Sequence, residues 1–277
     1  MGRERRQFVL RHDQGVRVKL IQNLESGIYE PARERVWTPH RHRDRTLGQV
    51  GPNLFYGGAD VRKVLHLHFD GSDGDTALTD SSPYAHSVTG NANCKLSTAQ
   101  AKFGSTSLKL SKKDSGGISL ATSSIFGRGN NEPWTFECFI YHVANVSSSG
   151  EPLLWRWAVG ADYDNLGCVS SGPKFAYDNA SFGAQEPSPV TYTSNTWHHV
   201  VLTYDGTTVT RWKDGVSDFT FVGARPNSTT GSIFIGGFTG GTPGADDATE
   251  IYVDELRFVI GAALYTTAFT PSAVPFA

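Results

Sequence analysis

Apolar and polar residues alternate along most of this chain with the two-residue period of β-strands. In Val64-Leu-His-Leu-His-Phe69, Leu65, Leu67 and Phe69 share one face, and Val64, His66 and His68 the other. The leucine face is predicted to meet a core. Comparable runs lie at 105–110, 134–141, 152–158, 174–177, 198–204, 207–213, 232–235 and 251–258. Clusters of Asp, Gly, Ser and Pro at 70–74, 80–83, 114–117 and 127–131 separate them. Asp205-Gly206 and Asp214-Gly215 are hairpin signals, because both residue types tolerate positive φ. Trp197, at the head of one run, is expected to anchor the core. Short strands with no long helical period predict an all-β sandwich, barrel or jelly roll.

Before residue 61 the pattern differs. Val16, Val18 and Leu20 alternate with Arg17 and Lys19, which predicts two short β segments around His12-Asp-Gln-Gly15. Residues 31–60 lose all periodicity and carry Pro31, Pro39 and Pro52. Such a stretch is too long for a loop inside a compact domain, so a boundary is placed near residue 60. Residues 1–60 hold 11 Lys/Arg against 7 Asp/Glu, and residues 61–277 hold 14 against 20. A basic arm on an acidic body suggests contact with an anionic partner or another subunit. Phe8, Arg33, Arg35, Trp37, Arg41, Arg43, Phe55 and Tyr56 are the expected docking residues, since interfaces are anchored by aromatic and Arg side chains. Nucleic acid is not the expected partner: the body is acidic and shows no binding motif.

The 277 residues, 38% hydrophobic with 30 glycines, suffice for a sizeable core and many tight turns. Cys94, Cys138 and Cys168 are an odd set without C-x-x-C spacing, which argues against a disulfide framework or a zinc ribbon. Cys138, within Phe136-Glu-Cys-Phe-Ile, reads as a small buried hydrophobe. Met1-Gly-Arg-Glu-Arg-Arg-Gln is charged but leads into no apolar stretch, so neither a signal peptide nor a membrane span is expected. Synthesis in a reducing cytoplasm follows as an expectation.

Five segments, in order, resemble the laminin-G-like jelly roll of the concanavalin A-like lectin/glucanase superfamily. They are Leu67-His-Phe-Asp-Gly71 with Leu78-Thr-Asp-Ser-Ser-Pro83, Ala101-Lys-Phe-Gly-Ser-Thr-Ser-Leu108, Trp134-Thr-Phe-Glu-Cys-Phe-Ile140, Thr196-Trp-His-His-Val-Val-Leu-Thr-Tyr-Asp-Gly206 through Lys213-Asp-Gly215, and Ile251-Tyr-Val-Asp-Glu-Leu-Arg257. The resemblance implies a two-sheet antiparallel jelly-roll sandwich over 61–277, preceded by an extended N-terminal arm. Tyr252-Val-Asp-Glu-Leu-Arg-Phe258 followed by Ala263-Leu-Tyr-Thr-Thr-Ala-Phe-Thr-Pro271 is similar to an ending common in tailed-bacteriophage virion proteins. The resemblance therefore implies a non-enzymatic virion structural protein, a capsid decoration or tail-associated component. Its expected partners are other virion proteins, in a homo-oligomer or lattice. The alternative is a carbohydrate-binding lectin module or receptor-binding protein that recognises host surface glycans. Resemblance on this fold transfers architecture better than function.

Candidate chemistry is sparse. Glycoside hydrolysis needs paired carboxylates across the scissile bond. The E-x-D-x-E spacing of this fold's hydrolases is absent, Glu137 is isolated, and adjacent Asp254 and Glu255 are expected on opposite strand faces. Asp70, Asp80 and Asp254 are the candidate ligands for calcium, against the reading that Asp-Gly turns are conformational. His66 and His68 form an i, i+2 pair, a weak metal signal without further ligands, and are expected to face solvent or hydrogen-bond. Trp155, Trp157 and Trp212 are the glycan-binding candidates; for Trp155 and Trp157 the apolar area of an indole favours the core over a sugar platform.

Overall fold

The computed structural model describes residues 7–11, 17–22, 29–31, 61–110, 117–143, 153–168, 174–179, 184–185, 190–223, 228–236 and 250–277. The chain divides into two units, 1–46 and 47–277. In the first, β1 (Gln7–Arg11), β2 (Arg17–Gln22) and β3 (Tyr29–Pro31) form an antiparallel sheet, and only their backbone is described. Phe8 lies in β1. Arg33, Arg35, Trp37, Arg41, Arg43, Phe55, Tyr56 and the expected boundary near residue 60 lie outside the described residues.

The second unit is all-β. Its strands are β4 (Arg62–Leu67), β5 (Ala77–Thr79), β6 (Ser87–Thr89), β7 (Cys94–Ser97), β8 (Ser107–Leu110), β9 (Ile118–Ser123) and β10 (Trp134–His142). Then follow β11 (Leu153–Val159), β12 (Asp162–Cys168), β13 (Lys174–Asn179), β14 (Ala184–Gln185), β15 (Val190–Thr191) and β16 (Trp197–Tyr204). The last are β17 (Thr208–Lys213), β18 (Val216–Val222), β19 (Gly231–Ile235) and β20 (Ile251–Ile260). One sheet runs β18-β17-β16-β10-β20-β8-β7, with β4 also on β20. The other runs β14-β13-β12-β11-β19-β9, with β15 on β13. All the pairings are antiparallel. The Asp214-Gly215 hairpin has φ of 51° and 83°, the left-handed pair that the sequence signal requires.

Between the sheets lies an aromatic core. Trp155 stacks on Phe136 with ring centroids 4.9 Å apart and meets Trp134 at 5.5 Å and Phe258 at 5.1 Å. Leu65, Leu67 and Phe69 join it as the alternation predicts. Val64 joins it too, because the β4–β20 register shifts between Phe258 and Val259 and turns an extra residue inward. Trp197 does not fulfil its expected role. It is partly exposed on the opposite face, beside Tyr141, and Trp134 fills the core position instead. Strand alternation gives the reason: Val200, Leu202 and Tyr204 point inward from the same strand, so Trp197 points out.

A second bulge positions the polar chemistry. Glu137 pairs with Arg257 and Phe139 with Asp254, so β20 spends two residues where β10 spends one. Glu255 sits in that bulge at a φ of 51°. There β20 also exchanges partners, from β8 along Ile251–Val253 to β4 along Leu256–Ile260.

Candidate functional site

The sandwich rim opens into a cleft of about 430 Å³ where the short helical turn Ser124–Phe126 meets β4. Ser123 caps that turn by accepting from the Ile125 N–H at 3.2 Å. Arg62 donates to the Ile125 carbonyl at 3.3 Å, and to the Gly127 carbonyl and Glu132 at 3.0 and 3.1 Å. Across the floor, Arg128 and Ser228 exchange backbone hydrogen bonds of 2.8 and 2.9 Å. The Arg128 guanidinium lies 3.5 Å over the Trp157 ring and pairs with Asp164 at 2.6 Å, both charges being buried. Tyr177 donates to the other Asp164 oxygen, and Trp157 Nε1 donates to the Phe126 carbonyl at 2.7 Å. The floor is thus fixed by core-anchored groups, while Ser124, Asn130 and Thr229 stand exposed around it. Hydroxyls, an amide and a half-exposed guanidinium offer both donors and acceptors, a lining suited to a polyhydroxylated ligand. Glu132, the carboxylate of this lining, is held by Arg62 and by the Gly129 N–H at 2.7 Å.

The outer face of the larger sheet carries a second polar assembly, beneath residues 261–277. Glu137 accepts from Arg257 at 2.9 and 2.6 Å and from Tyr265 at 2.9 Å, and meets His199 Nε2 at 3.1 Å. Burial alone would raise the Glu137 carboxyl, but Arg257 and His199 override it and hold it at about 2. Burial, then Glu137, pushes the Tyr265 phenol upward. Phe269 and Phe276 pack around His199, at 5.7 Å each between ring centroids. Gly215 permits this cover: a side chain there would collide with the Phe269 carbonyl 1.8 Å away. With its oxygens engaged and its side chain fully buried, Glu137 is built as a structural anion.

The aspartates proposed for calcium do not assemble. Asp80 Oδ1 accepts from the His66 and Ser82 N–H groups, and Oδ2 from Ser82 Oγ and the His86 N–H, all at 2.8–2.9 Å. Asp254 Oδ2 accepts from the Lys102 and Phe103 N–H groups at 2.8 and 3.1 Å, and Oδ1 from Glu255. Asp80 and Asp254 thus clamp separate loops through N–H and O–H donors, and Asp70 is exposed; none of the three belongs to a cluster of metal-ligating groups among the described residues. Burial raises the Asp254 carboxyl to about 7, against the opposing pull of its backbone donors.

Asp254 and Glu255 also depart from the expectation of opposite faces. Asp254 lies opposite Phe139, whose ring meets Phe276 at 5.7 Å, and Glu255 accepts the Phe276 N–H at 2.8 Å. The bulge brings both carboxylates to the outer face.

The three tryptophans proposed for glycan contact are interior. Trp155 and Trp157 are 0% exposed and Trp212 4%, so no indole face is open to a sugar ring. Trp212 donates to Thr203 Oγ1 at 2.9 Å and packs on Phe269 at 5.8 Å. Cys138 and Cys94 are buried thiols, pushed upward by burial, Cys94 to about 12. The Cys168 side chain lies outside the described residues. His66 is buried rather than solvent-facing, and the bulge sets Glu255 beside the histidine pair. Sequence reasoning missed this third member because a bulge leaves no mark in the alternation.

A laminin-G-type family model, described as the concanavalin A-like lectin/glucanases superfamily, matches residues 112–270. Among solved structures, one concerns botulinum neurotoxin type C, whose cell entry is described as dependent upon interaction with two ganglioside molecules. It matches with a TM-score of 0.55 at 15% identity, over 74% of this chain and 49% of that one. The ligand binding domain of botulinum neurotoxin serotype D, in complex with N-acetylneuraminic acid, matches with a TM-score of 0.52 at 15% identity, over 74% and 48%. The binding domain of Paraclostridial mosquitocidal protein 1 matches with a TM-score of 0.53 at 13% identity, over 76% and 50%. The chain spans about half the length of these structures, and at such identities the likeness is one of fold. No curated protein sequence matches the chain.

Proposed function

The chain belongs to the concanavalin A-like lectin/glucanases superfamily, and from that premise we propose that it is a non-catalytic carbohydrate-binding module carried by a tailed-bacteriophage virion. The rim cleft around Arg62, Asn130 and Thr229 carries the reading, as a polar concavity on a rigid floor. Neighbours on this fold whose descriptions name a ganglioside or N-acetylneuraminic acid agree with a sugar as the ligand class. The absence of catalysis is supported by Glu137, which is sealed, and by Glu132, the single carboxylate of the cleft lining among the described residues. A glycan array should give a signal that the double variant Asn130→Ala/Thr229→Ala abolishes without lowering the melting temperature. A silent array, or a signal that the variant leaves intact, would remove the cleft from the account.

The virion is proposed on the Ala263–Pro271 segment, which resembles a phage-protein ending and here seals the outer face. In this reading residues 1–60 are the attachment arm, with Phe8, Arg33, Arg35, Trp37, Arg41, Arg43, Phe55 and Tyr56 meeting other virion proteins in a lattice, and residues 61–277 are displayed. Among the described residues no helix is long and apolar enough to cross a membrane. Deleting 1–60 should leave a cooperatively melting β domain that no longer joins particles; a truncated chain that still incorporates would place attachment on the sandwich.

A further inference from the structure

We propose that His66, His68 and Glu255 form a binding site for a zinc-class divalent metal ion, clamping the first strand of the sandwich to its last. Each residue can offer one ligand atom, and the three atoms lie within 4.8 Å of one another. Two imidazoles and a carboxylate are ligands that zinc takes readily, with a fourth position left to water. At metal–ligand distances of about 2.0–2.2 Å, tetrahedral ligand atoms stand roughly 3.4 Å apart, which small side-chain rotations from the present positions would give.

Three further observations set this trio apart from an incidental cluster. His66 is 1% exposed, yet neither of its ring nitrogens has a hydrogen-bond partner. A buried imidazole left this way loses hydration at both nitrogens and gains nothing in return. Its ring lies 4.2 Å from that of His68, between centroids, on the strand face turned away from the core. Next, Glu255 reaches the pair only because the bulge holds it at a φ of 51°, a costly conformation for a non-glycine residue. Finally, the fourth position has a route to solvent past His68, whose side chain is 27% exposed. His68 Nδ1 now meets Glu255 at 2.8 and 3.0 Å, and metal binding would replace its proton with the ion.

The neighbouring cations are already matched. Arg257 is paired with Glu137 at 2.6 Å, and Lys63 donates to the Ala277 carbonyl at 3.1 Å. Glu255 Oε2 also accepts the Phe276 N–H, so the ion would tie β4, the bulge of β20 and the closing segment together.

The test is a Zn²⁺ titration of the chelator-stripped full-length chain against a competing chromophoric chelator, with X-ray absorption at the zinc edge. The expected result is one equivalent bound through two imidazoles and one carboxylate, with a rise in melting temperature. His68→Ala, at the partly exposed member, should weaken binding by at least about tenfold and cancel the thermal shift, since even indirect ligand supports are worth that much. Glu255→Gln should do likewise and guards against a folding defect in either variant. No binding by the wild-type chain would overturn the site. So would binding that survives both substitutions, or an absorption spectrum without two imidazoles.

Discussion

The two faces of the larger sheet bury their side chains by opposite means. The inner face is dry and aromatic: Trp134, Phe136 and Phe258 meet Trp155 of the other sheet. The outer face is charged: Glu137 and His199 are buried, and Arg257 and Tyr265, partly exposed, meet Glu137 beside them beneath residues 261–277. An apolar core tolerates truncation in proportion to lost volume, whereas a polar cluster fails as a unit once one partner is removed. The inner face makes the sandwich; the outer face fixes where the closing segment lies.

Trp155→Ala should give the largest effect. Emptying a fully buried indole site costs about 3–5 kcal/mol, read by chemical denaturation. The same variant, kept folded at low temperature, should retain glycan binding. Loss of binding at full folding would return the tryptophan to the ligand site.

Glu137→Gln should follow. It leaves the Arg257 guanidinium without its buried counter-charge, and breaking such a pair costs about 3–5 kcal/mol, less here because Arg257 is partly exposed. Hydrogen exchange should show residues 261–277 opening before the inner face. Uniform loss of protection would mean that the two faces are one cooperative unit. Glu137 also sets an acid limit: its folded pKa near 2 lies below its usual 4.5, so its contribution is present above about 4.5 and fades as pH falls toward 2.

Much of this contrast follows from how the sequence encodes each face. Leu65, Leu67, Phe69, Trp134 and the Asp214-Gly215 turn declare strands and core through period-two alternation and turn chemistry. The outer face has no such signature, because Glu137, His199 and Arg257 occupy the positions that alternation marks as solvent-facing. What makes them interior is a segment that covers them from far along the chain. The two β20-related bulges are silent too: they turn Val64 inward and carry Glu255 to the face of Asp254, against strict alternation. The rim cleft was missed because Arg62, Asn130 and Ser228 are distant in sequence and are brought together by the Arg128–Ser228 bridge and by the Arg62 hydrogen bonds to Ile125, Gly127 and Glu132. Trp155 and Trp157 read correctly as core-forming indoles; their rival assignment as sugar platforms fails on burial.

Asp254 should give the smallest and most pH-specific effect. Its folded pKa near 7 lies above its usual 3.8, so the folded chain holds the proton more tightly than the unfolded chain between those values. This group therefore makes stability fall as pH rises from about 4 to 7. Asp254→Asn should flatten that slope in denaturation curves taken across the window. An unchanged slope would assign it to another group.

The location of the ligand site tests the functional reading most directly. Backbone amide shifts should be followed by NMR while the oligosaccharide ranked highest on an array is titrated into the full-length chain. The account predicts saturable shifts confined to residues 124–132 and 228–230, around the rim cleft. Saturable shifts centred elsewhere on the sandwich, or none at all, would contradict it.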